Sequence, residues 1–227
     1  MKILFFIFLF FIFFLSFGYA NENIANQIAP LIKNDDNIAE QALAAIEKKY
    51  SKQSFNADFI QISKLTALDI IEQATGKAYF SYPFKMRWHY IKPDNHEIIT
   101  NGKFLWIYRP LEKQVMVSDA KSFFTAGKGG IFLSNISLLR KNYILSLKKN
   151  SKDYLDIKLV AKQQSSDVVS IVLKVLKENN EITQVITTNT QDDITQFEFF
   201  NIRFEKVDAD MFELKNIKED IDMIKMN

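Results

Sequence analysis

The chain has 227 residues, 29 Lys and Arg against 27 Asp and Glu, and no cysteine. This length suits one domain, and the formal net charge of +2 gives no sign of a nucleic-acid-binding surface. Without cysteine, disulfides, thiolate metal clusters and a lipidated N-terminal cysteine are excluded. Two histidines and six glycines leave little basis for multi-histidine metal sites or glycine-rich phosphate loops. We therefore expect no cofactor and no nucleic-acid partner.

The first 20 residues have the layout of a secretory signal peptide. Lys2 precedes an unbroken apolar run at residues 3–15, and Gly18 and Ala20 are the small residues before a polar segment. A transmembrane helix needs about 20 apolar residues, and this run reaches that length only if every residue to Ala20 counts. We predict cleavage after Ala20, with retention as a membrane anchor as the alternative. The folded protein is therefore expected to be exported.

The domain begins with a helix, after an arm. Residues 21–36 lack a sustained period and are interpreted as an N-terminal arm, and residues 37–227 as a single domain. Asn37 and Glu40 resemble a capping box, so a helix is expected to begin there. From Ser54 apolar and polar residues alternate, which predicts a half-buried strand.

Strands dominate the rest of the chain. They are predicted at Gly76–Tyr82, Met86–Tyr90, Glu97–Thr100, Lys103–Tyr108, Gln114–Ser118, Tyr143–Lys148, Tyr154–Val160, Val168–Leu176, Ile182–Thr188, Thr195–Phe204 and Met211–Lys215. Asn101-Gly102 is the strongest hairpin signal, and the stretch from Lys121 to Asn142 indicates a loop with one or two short helices. About eleven strands without alternating helices predict an α+β fold, in which a strongly curved antiparallel sheet carries the helices on one side.

Two of these strands suggest more than an ordinary core. Met86, Trp88 and Tyr90 share one face of their strand. The strand at 104–108 is apolar on both faces, so it must either be covered on both sides or line something hydrophobic. Aromatic residues of both parities at 197–204 indicate either covering on both faces or a bulge. A plain core and a lined cavity both fit this periodicity. A curved sheet capped by few helices favours a cavity for an apolar ligand.

Signals for catalysis are weak, and no catalytic residue is assigned. His89 and His96 have no carboxylate or serine at the spacing of a triad or a metal site, so they are interpreted as surface or structural histidines. Clusters of carboxylates lie in turns or in the tail, where solvation explains them.

A dense block of aromatic, proline and glycine residues occupies the middle of the chain. It comprises Gly76 to Pro83 (GKAYFSYP), Met86 to Tyr90 (MRWHY), Pro93, Asn101-Gly102, Leu105-Trp106, Tyr108, Pro110 and Gln114-Val115. With this spacing the block resembles the periplasmic outer-membrane lipoprotein carrier family (LolA type). The flanking elements follow the family's order over essentially the whole mature chain.

The resemblance implies an incomplete β-barrel with a lid of helices over a hydrophobic cavity. It implies a periplasmic carrier of acylated lipoproteins, which receives them from an inner-membrane lipoprotein-releasing transporter and delivers them to an outer-membrane lipoprotein receptor. The receptor of similar fold is itself a lipoprotein, so the absence of cysteine favours the carrier. A monomer that is not an enzyme is expected.

The expected site is the lining of this cavity. Its predicted members come from the sheet and from the lid, and they are Phe59, Tyr79, Met86, Trp88, Ile98, Ile131, Phe132 and Leu133. The family usually has Arg before the proline of the block, where it latches the lid, and Tyr82 stands at that position here. Tyr82 is therefore the candidate for lid control. A second departure is Lys215-Asn216, where the family has a proline-containing end.

Two other classes of function stay open. A carrier-like paralogue would hold another amphiphile, such as a free fatty acid, a glycolipid or a polymer intermediate. A secreted lipid hydrolase would need a nucleophile and a base, and His89 and His96 would be the residues to test.

Overall fold

The computed structural model describes residues 35–51, 53–121, 128–163, 167–215 and 220–226. Helix α1 covers residues 35–50, and helix α2 is Ser137–Asn142. The strands of the described residues are β1 (Ser54–Leu65), β2 (Ile70–Ser81), β3 (Lys85–Lys92), β4 (His96–Thr100), β5 (Phe104–Arg109), β6 (Gln114–Asp119), β7 (Tyr143–Asn150), β8 (Tyr154–Ala161), β9 (Val168–Leu176), β10 (Glu181–Asn189), β11 (Ile194–Phe204) and β12 (Asp222–Lys225). Short 3-10 helices lie at Thr66–Leu68, Lys128–Ser134 and Ala209–Phe212.

These strands form one sheet in the order β12-β6-β5-β4-β3-β2-β1-β11-β10-β9-β8-β7. Two series of antiparallel hairpins, β1 to β6 and β7 to β11, are joined because β1 pairs with both β2 and β11. The sheet is strongly curved and does not close, so β12 and β7 are its edges. The predicted α+β fold with a curved antiparallel sheet is confirmed. One pair differs from the prediction, since β12 runs parallel to β6.

The chain between β6 and β7 joins strands that lie at or beside opposite edges of the sheet, and Phe132, Leu133, Ile136 and Leu139 of this connection pack into the core on the concave side. We call residues 128–142 the lid segment; it contains the 3-10 helix Lys128–Ser134 and then α2. The 3-10 helix contacts β2 and β3, and α2 contacts β7. The expected short helices between Lys121 and Asn142 are thus confirmed, and they cover the hollow of the sheet.

The hydrophobic core fills the concave face. Phe55, Ala57 and Phe59 of β1 are buried, and the β1–β2 register sets Phe80 and Ala78 on the same face. Equivalent positions of β8, β9 and β10 continue this apolar surface across the second half of the sheet, and they include Ile157, Leu159, Ile171, Leu173, Val175, Ile182 and Val185. Helix α1 contributes one apolar face to the same core, with Ala39, Ala42, Leu43, Ile46 and Tyr50.

Polar contacts fix the C-terminal end of α1 to the turn between β9 and β10. The Tyr50 hydroxyl oxygen accepts a hydrogen bond from the backbone N–H of Ile182 at 2.9 Å. The Lys49 ammonium donates to the carbonyl of Asn179 at 2.8 Å and to the carboxylate of Glu181 at 3.0 Å. These contacts place α1 over the β7–β11 half of the sheet.

The start of α1 differs from the prediction. The helix is already formed at residue 35, so Asn37 lies inside it and its side-chain oxygen accepts from Gln41 at 3.2 Å. The predicted signal peptide at residues 1–20 and the arm residues 21–34 lie outside the described part. Among the described helices, none is long and apolar enough to cross a membrane.

A bulge explains the aromatic residues of both parities in β11. Phe197 and Phe199 face the core, Asn201 has a φ of +52°, and the register with β1 shifts beside it. Beyond the bulge Phe204 packs against the core, whereas Phe200 is 44% exposed. Of the two alternatives for this strand, the bulge is confirmed.

The C-terminal segment covers part of the convex face. Ile99 and Val115 are fully buried there, although the strand registers place them opposite the core. The 3-10 helix Ala209–Phe212 contacts β3, and the Arg87 guanidinium donates to the Met211 carbonyl at 3.2 Å. This second, smaller apolar layer accounts for the apolar outer faces of β4 to β6.

The prediction of a strand at Met211–Lys215 is wrong. Asp208 accepts from the backbone N–H of Asp210 at 3.0 Å and thereby caps the 3-10 turn, whose Phe212 is buried. The last strand lies further on, at Asp222–Lys225, in the acidic tail that the sequence suggested would be solvated.

The surroundings of Gly76 lead to a prediction about how closely the core is packed. A Cβ at this position would overlap the His89 carbonyl oxygen and would lie 2.8 Å from Cε1 of Phe59. Because overpacking of a core costs about 1–3 kcal/mol, Gly76→Ala should lower the free energy of unfolding by about 2–3 kcal/mol in chemical denaturation.

The matched control is Gly102→Ala in the β4–β5 turn. Its φ is +94° and its Cβ would meet no atom closer than 3.7 Å, so only backbone strain of about 1 kcal/mol is expected. If Gly76→Ala and Gly102→Ala lowered the free energy of unfolding equally, the close packing at Gly76 would be contradicted.

Candidate functional site

A cavity of about 540 Å³ lies at one end of the curved sheet, between the β10–β11 turn and the lid segment. Its volume is in the range of about 300–1,000 Å³ that is usual for ligand sites. Strands β1, β3, β10 and β11, the start of β9 and Gly130 of the lid segment contribute to its wall. The lining residues are Gln61, Tyr90, Gly130, Asp167, Val168, Val185, Thr187, Asn189, Thr190, Gln191, Asp193, Thr195 and Phe197.

The apolar part of this wall is continuous with the aromatic core. Tyr90 and Phe197 line the cavity, and their ring centroids lie 6.4 and 4.7 Å from that of Trp88. The ring of Phe59 lies edge-on to Trp88 at 4.8 Å and to Tyr90 at 5.1 Å. We call these four residues, together with Phe199, the aromatic cluster. A single layer of side chains therefore separates the cavity from the centre of the core.

The Tyr90 hydroxyl is held at the boundary between the cluster and the polar wall. It donates to the Gln61 side-chain oxygen at 2.7 Å, and burial raises the pKa of Tyr90 above its usual value. The neutral phenol is thus the form that the folded protein holds, and it orients Gln61 at the cavity wall.

The rim of the cavity carries hydroxyl, amide and carboxylate groups. Its turn is fixed by hydrogen bonds, since Asn189 donates to the Asp193 carboxylate at 3.1 Å. The backbone N–H of Thr66 donates to the same carboxylate at 2.8 Å, and the Thr66 hydroxyl donates to the Asp192 carbonyl at 2.6 Å. The site therefore combines an apolar floor with a polar, well-held entrance, which suits an amphiphilic ligand.

The lid segment lies directly on Trp88. Gly130 has a φ of +68°, and a Cβ there would lie 3.3 Å from Cζ2 of Trp88, so a side chain would push the backbone away from the indole. Phe132 and Leu133 follow in the same 3-10 helix and are buried in the core. Contacts with the lid segment thus close the concave face over the indole ring.

Trp88 is 1% exposed, and its indole nitrogen has no hydrogen-bond partner. Among the described residues, no other buried side-chain nitrogen or oxygen lacks a partner. An unpaired buried donor costs about 1–3 kcal/mol. We call this structure, with the lid segment packed on Trp88, the closed arrangement. It is destabilised by the unpaired indole N–H group at the centre of its core.

The structure brings most of the predicted site residues together. Phe59, Met86, Trp88, Phe132 and Leu133 are buried in one core, and Ile98, opposite Trp88 in the β3–β4 register, packs against it. They fill the concave face rather than line the cavity of 540 Å³. The side chain of Ile131 lies outside the described part of the structure.

Tyr79 requires a correction. It alternates with the buried Ala78 and Phe80 and lies on the convex face, where it lines a small polar pocket beside Lys77 and Arg203. The sequence contained the signal for this, because Tyr79 shares its parity with Lys77 and Ser81, whereas the other parity carries Ala78 and Phe80. Phe80 is the residue that faces the interior.

Tyr82 lies in the turn between β2 and β3 and is 43% exposed. Among the described residues, none forms a hydrogen bond with its hydroxyl group. Its role in lid control stays a prediction. The charged contacts of the lid segment lie elsewhere, where Arg140 pairs with Glu40 and lies 3.6 Å from Glu47 of α1.

Sequence reasoning missed the residues of the cavity itself. Tyr90 shares a face with Trp88 and could have been included, whereas Thr187 and Thr195, which are paired in the β10–β11 hairpin, are polar and gave no signal of a ligand site. His89 lies on the convex face, while His96 stacks on Tyr90 at 4.2 Å on the other face. Among the described residues, no group of three or more His, Cys, Asp or Glu could hold a metal ion.

Comparison with known proteins identifies the family. Residues 51–215 match the family described as outer membrane lipoprotein carrier protein LolA. An outer-membrane lipoprotein carrier protein of Shewanella baltica (strain OS195) is 24% identical over 173 residues, which are 76% of this chain and 80% of the relative.

Two solved structures share the fold. An uncharacterized conserved protein from Thermus thermophilus has a TM-score of 0.53 and 13% identity, with 82% of this chain and 99% of that chain covered. MucB has a TM-score of 0.50 and 13% identity, with 82% of this chain and 66% of that chain covered. Because the family match includes all strands from β1 to β11 and the lid segment, the chain belongs to the LolA family of outer membrane lipoprotein carrier proteins.

Proposed function

We propose that this chain is a periplasmic carrier that shields the acyl chains of lipoproteins in the space between the curved sheet and the lid segment. It receives them from an inner-membrane transporter and delivers them to an outer-membrane receptor. The observation that carries this proposal is the cavity of about 540 Å³ whose apolar floor leads into the core under the lid segment. The relatives described as outer-membrane lipoprotein carrier proteins support it.

The energetics of the cargo explain why such a space is needed. Each acyl CH₂ removed from water is worth about 0.8 kcal/mol, so several chains exposed in the periplasm would cost on the order of tens of kcal/mol. A cavity of this size covers part of such an anchor. Displacement of the lid segment would add the surface now covered by Phe132 and Leu133.

Displacement of the lid segment by cargo would replace contacts between apolar side chains with contacts between side chains and acyl chains. The aromatic cluster would lose the side chains of the lid segment and gain acyl chains, so the net change in buried apolar area is small. The pairs of Arg140 with Glu40 and Glu47 are partly exposed, and such pairs are worth about 0–1 kcal/mol each. The lid segment is thus held mainly by contacts that the cargo replaces.

A second candidate is a carrier of another amphiphile, such as a free fatty acid, a glycolipid or a polymer intermediate. The polar cavity wall, with Thr187, Asn189, Gln191 and Thr195, favours a ligand with a hydrogen-bonding head group. Identification of the species that co-purifies in the cavity distinguishes it from the lipoprotein carrier.

Depletion of the protein in its native host tests the proposal directly. Lipoproteins destined for the outer membrane should accumulate at the inner membrane, as measured by membrane fractionation. A normal distribution of lipoproteins after full depletion would contradict the lipoprotein-carrier function.

Filling the cavity should block binding without damage to the fold. Thr187 lines the cavity, and the neighbouring Thr188 points to the opposite face of β10. Thr187→Trp should therefore weaken the binding of the apolar dye N-phenylnaphthylamine by about tenfold or more, which corresponds to about 1.4 kcal/mol.

Thr188→Trp is the matched control and should bind the dye as the wild type does. Unchanged binding in both variants, with unchanged circular dichroism, would show that the cavity is not the entry site.

Gly130→Ala should loosen the lid segment. The new Cβ would strain the left-handed backbone and press on Trp88, and a non-glycine residue in this region costs about 1–2 kcal/mol. Because this cost falls on the closed arrangement, the apparent affinity for the dye should rise about fivefold or more.

Gly102→Ala also places a side chain at a positive φ, but its three nearest atoms belong to Phe84 and Pro83 rather than to the lid segment. It should therefore lower the melting temperature without a change in affinity. If Gly130→Ala also left the affinity unchanged, the lid segment would not control access.

A further inference from the structure

The indole nitrogen of Trp88 is an anomaly in an otherwise well-paired core. Most buried polar groups have a hydrogen-bond partner. Two other buried aromatic side chains with a polar group obey this rule, since Tyr50 accepts from Ile182 and Tyr90 donates to Gln61. Trp88 alone among the described residues keeps a buried side-chain donor unpaired. A phenylalanine would provide a ring without this cost.

Within the described part of the chain, the surroundings of the indole provide no acceptor in the closed arrangement. The rings of Phe59, Phe80, Phe197 and Phe199 surround it, with centroid distances of 4.8, 5.5, 4.7 and 6.1 Å. A partner for the N–H group therefore has to come from outside the core.

The route for such a partner is short. Gly130, Tyr90 and Phe197 line the cavity, and each of them also contacts or stacks near Trp88. Displacement of the lid segment would remove the cover over the ring edge at Cζ2. The indole would then lie between the apolar interior and the polar rim of the cavity.

We propose that the Trp88 indole N–H is the donor that binds a carbonyl oxygen of the ligand, namely the ester or amide carbonyl that joins an acyl chain to its head group. This inference rests on the proposed carrier function and specifies the ligand class. In an acylated head group this carbonyl marks the boundary between apolar chain and polar head. Once the lid segment is displaced, Trp88 lies at the corresponding boundary of the site, beside Tyr90 and Phe197 of the cavity wall. Pairing with the carbonyl would remove the penalty of the closed arrangement.

The proposal predicts discrimination between acyl and alkyl lipids. The ligands are dioctanoylglycerol, which has two ester carbonyls, its dioctyl ether analogue, which has none, and N-palmitoylethanolamine, which has an amide carbonyl. Each is measured by displacement of N-phenylnaphthylamine from wild type and from Trp88→Phe. The variant should lose about fivefold in affinity for the ester and the amide, equivalent to about 1 kcal/mol, and should bind the ether as the wild type does.

Trp106 provides the matched control, because it is the second of the two tryptophans and lies half-buried on the convex face. Trp106→Phe should leave all three affinities unchanged. In that variant the single indole N–H resonance belongs to Trp88. It should move downfield with the ester or the amide and stay in place with the ether, and this measurement decides the matter even if Trp88→Phe does not fold.

Each result has one interpretation. Equal losses for ester, amide and ether, or an indole resonance that responds equally to all three ligands, would overturn the role of Trp88 while leaving the carrier function intact. An indole resonance that moves with only one of the two carbonyl ligands would identify that linkage, the ester or the amide, as the acceptor. Failure of the wild type to bind any of the three would contradict the carrier function, and this inference with it.

Discussion

An open curved sheet with an apolar concave face must be covered, and the strand order determines what covers it. Strands β6 and β7 lie at or beside opposite edges, and the chain between them crosses the hollow. The lid segment belongs to this crossing, and it carries Phe132, Leu133, Ile136 and Leu139 into the core. The cover is therefore a connection rather than a part of the sheet, so it can move without breaking any strand pairing.

The aromatic cluster is the common point of core and cavity. Trp88 packs against Phe59 and Phe197 from two other strands and lies under Gly130. Its neighbours Tyr90 and Phe197 also form the cavity wall. A ligand in the cavity thus touches the same side chains that hold the lid segment, which couples binding to the position of the lid without a separate relay.

Local patterns were sufficient to predict β1 to β11, the curvature and the inward face of β3, because alternation fixes which side chains share a face. They did not predict β12, and they wrongly indicated a strand at Met211–Lys215. The same alternation, with Lys77 and Ser81 on the parity of Tyr79, would also have placed Tyr79 on the outer face. Two other features depend on distant pairing and were not predictable. The bulge at Asn201 reverses the parity of β11. The cavity needs β10 beside the lid segment, a relation that no local period contains.

The two free edges of the sheet have a consequence for self-association. An open sheet exposes backbone donors and acceptors that could pair with a second copy of the chain. In β7 a register shift between Leu147 and Lys149 disturbs the flat edge, and Lys148 and Lys149 are exposed there. At the other edge only the four residues of β12 are presented, and all are exposed. Charge and irregularity at one edge and brevity at the other oppose strand addition, so an unclosed sheet does not by itself make the protein prone to polymerise.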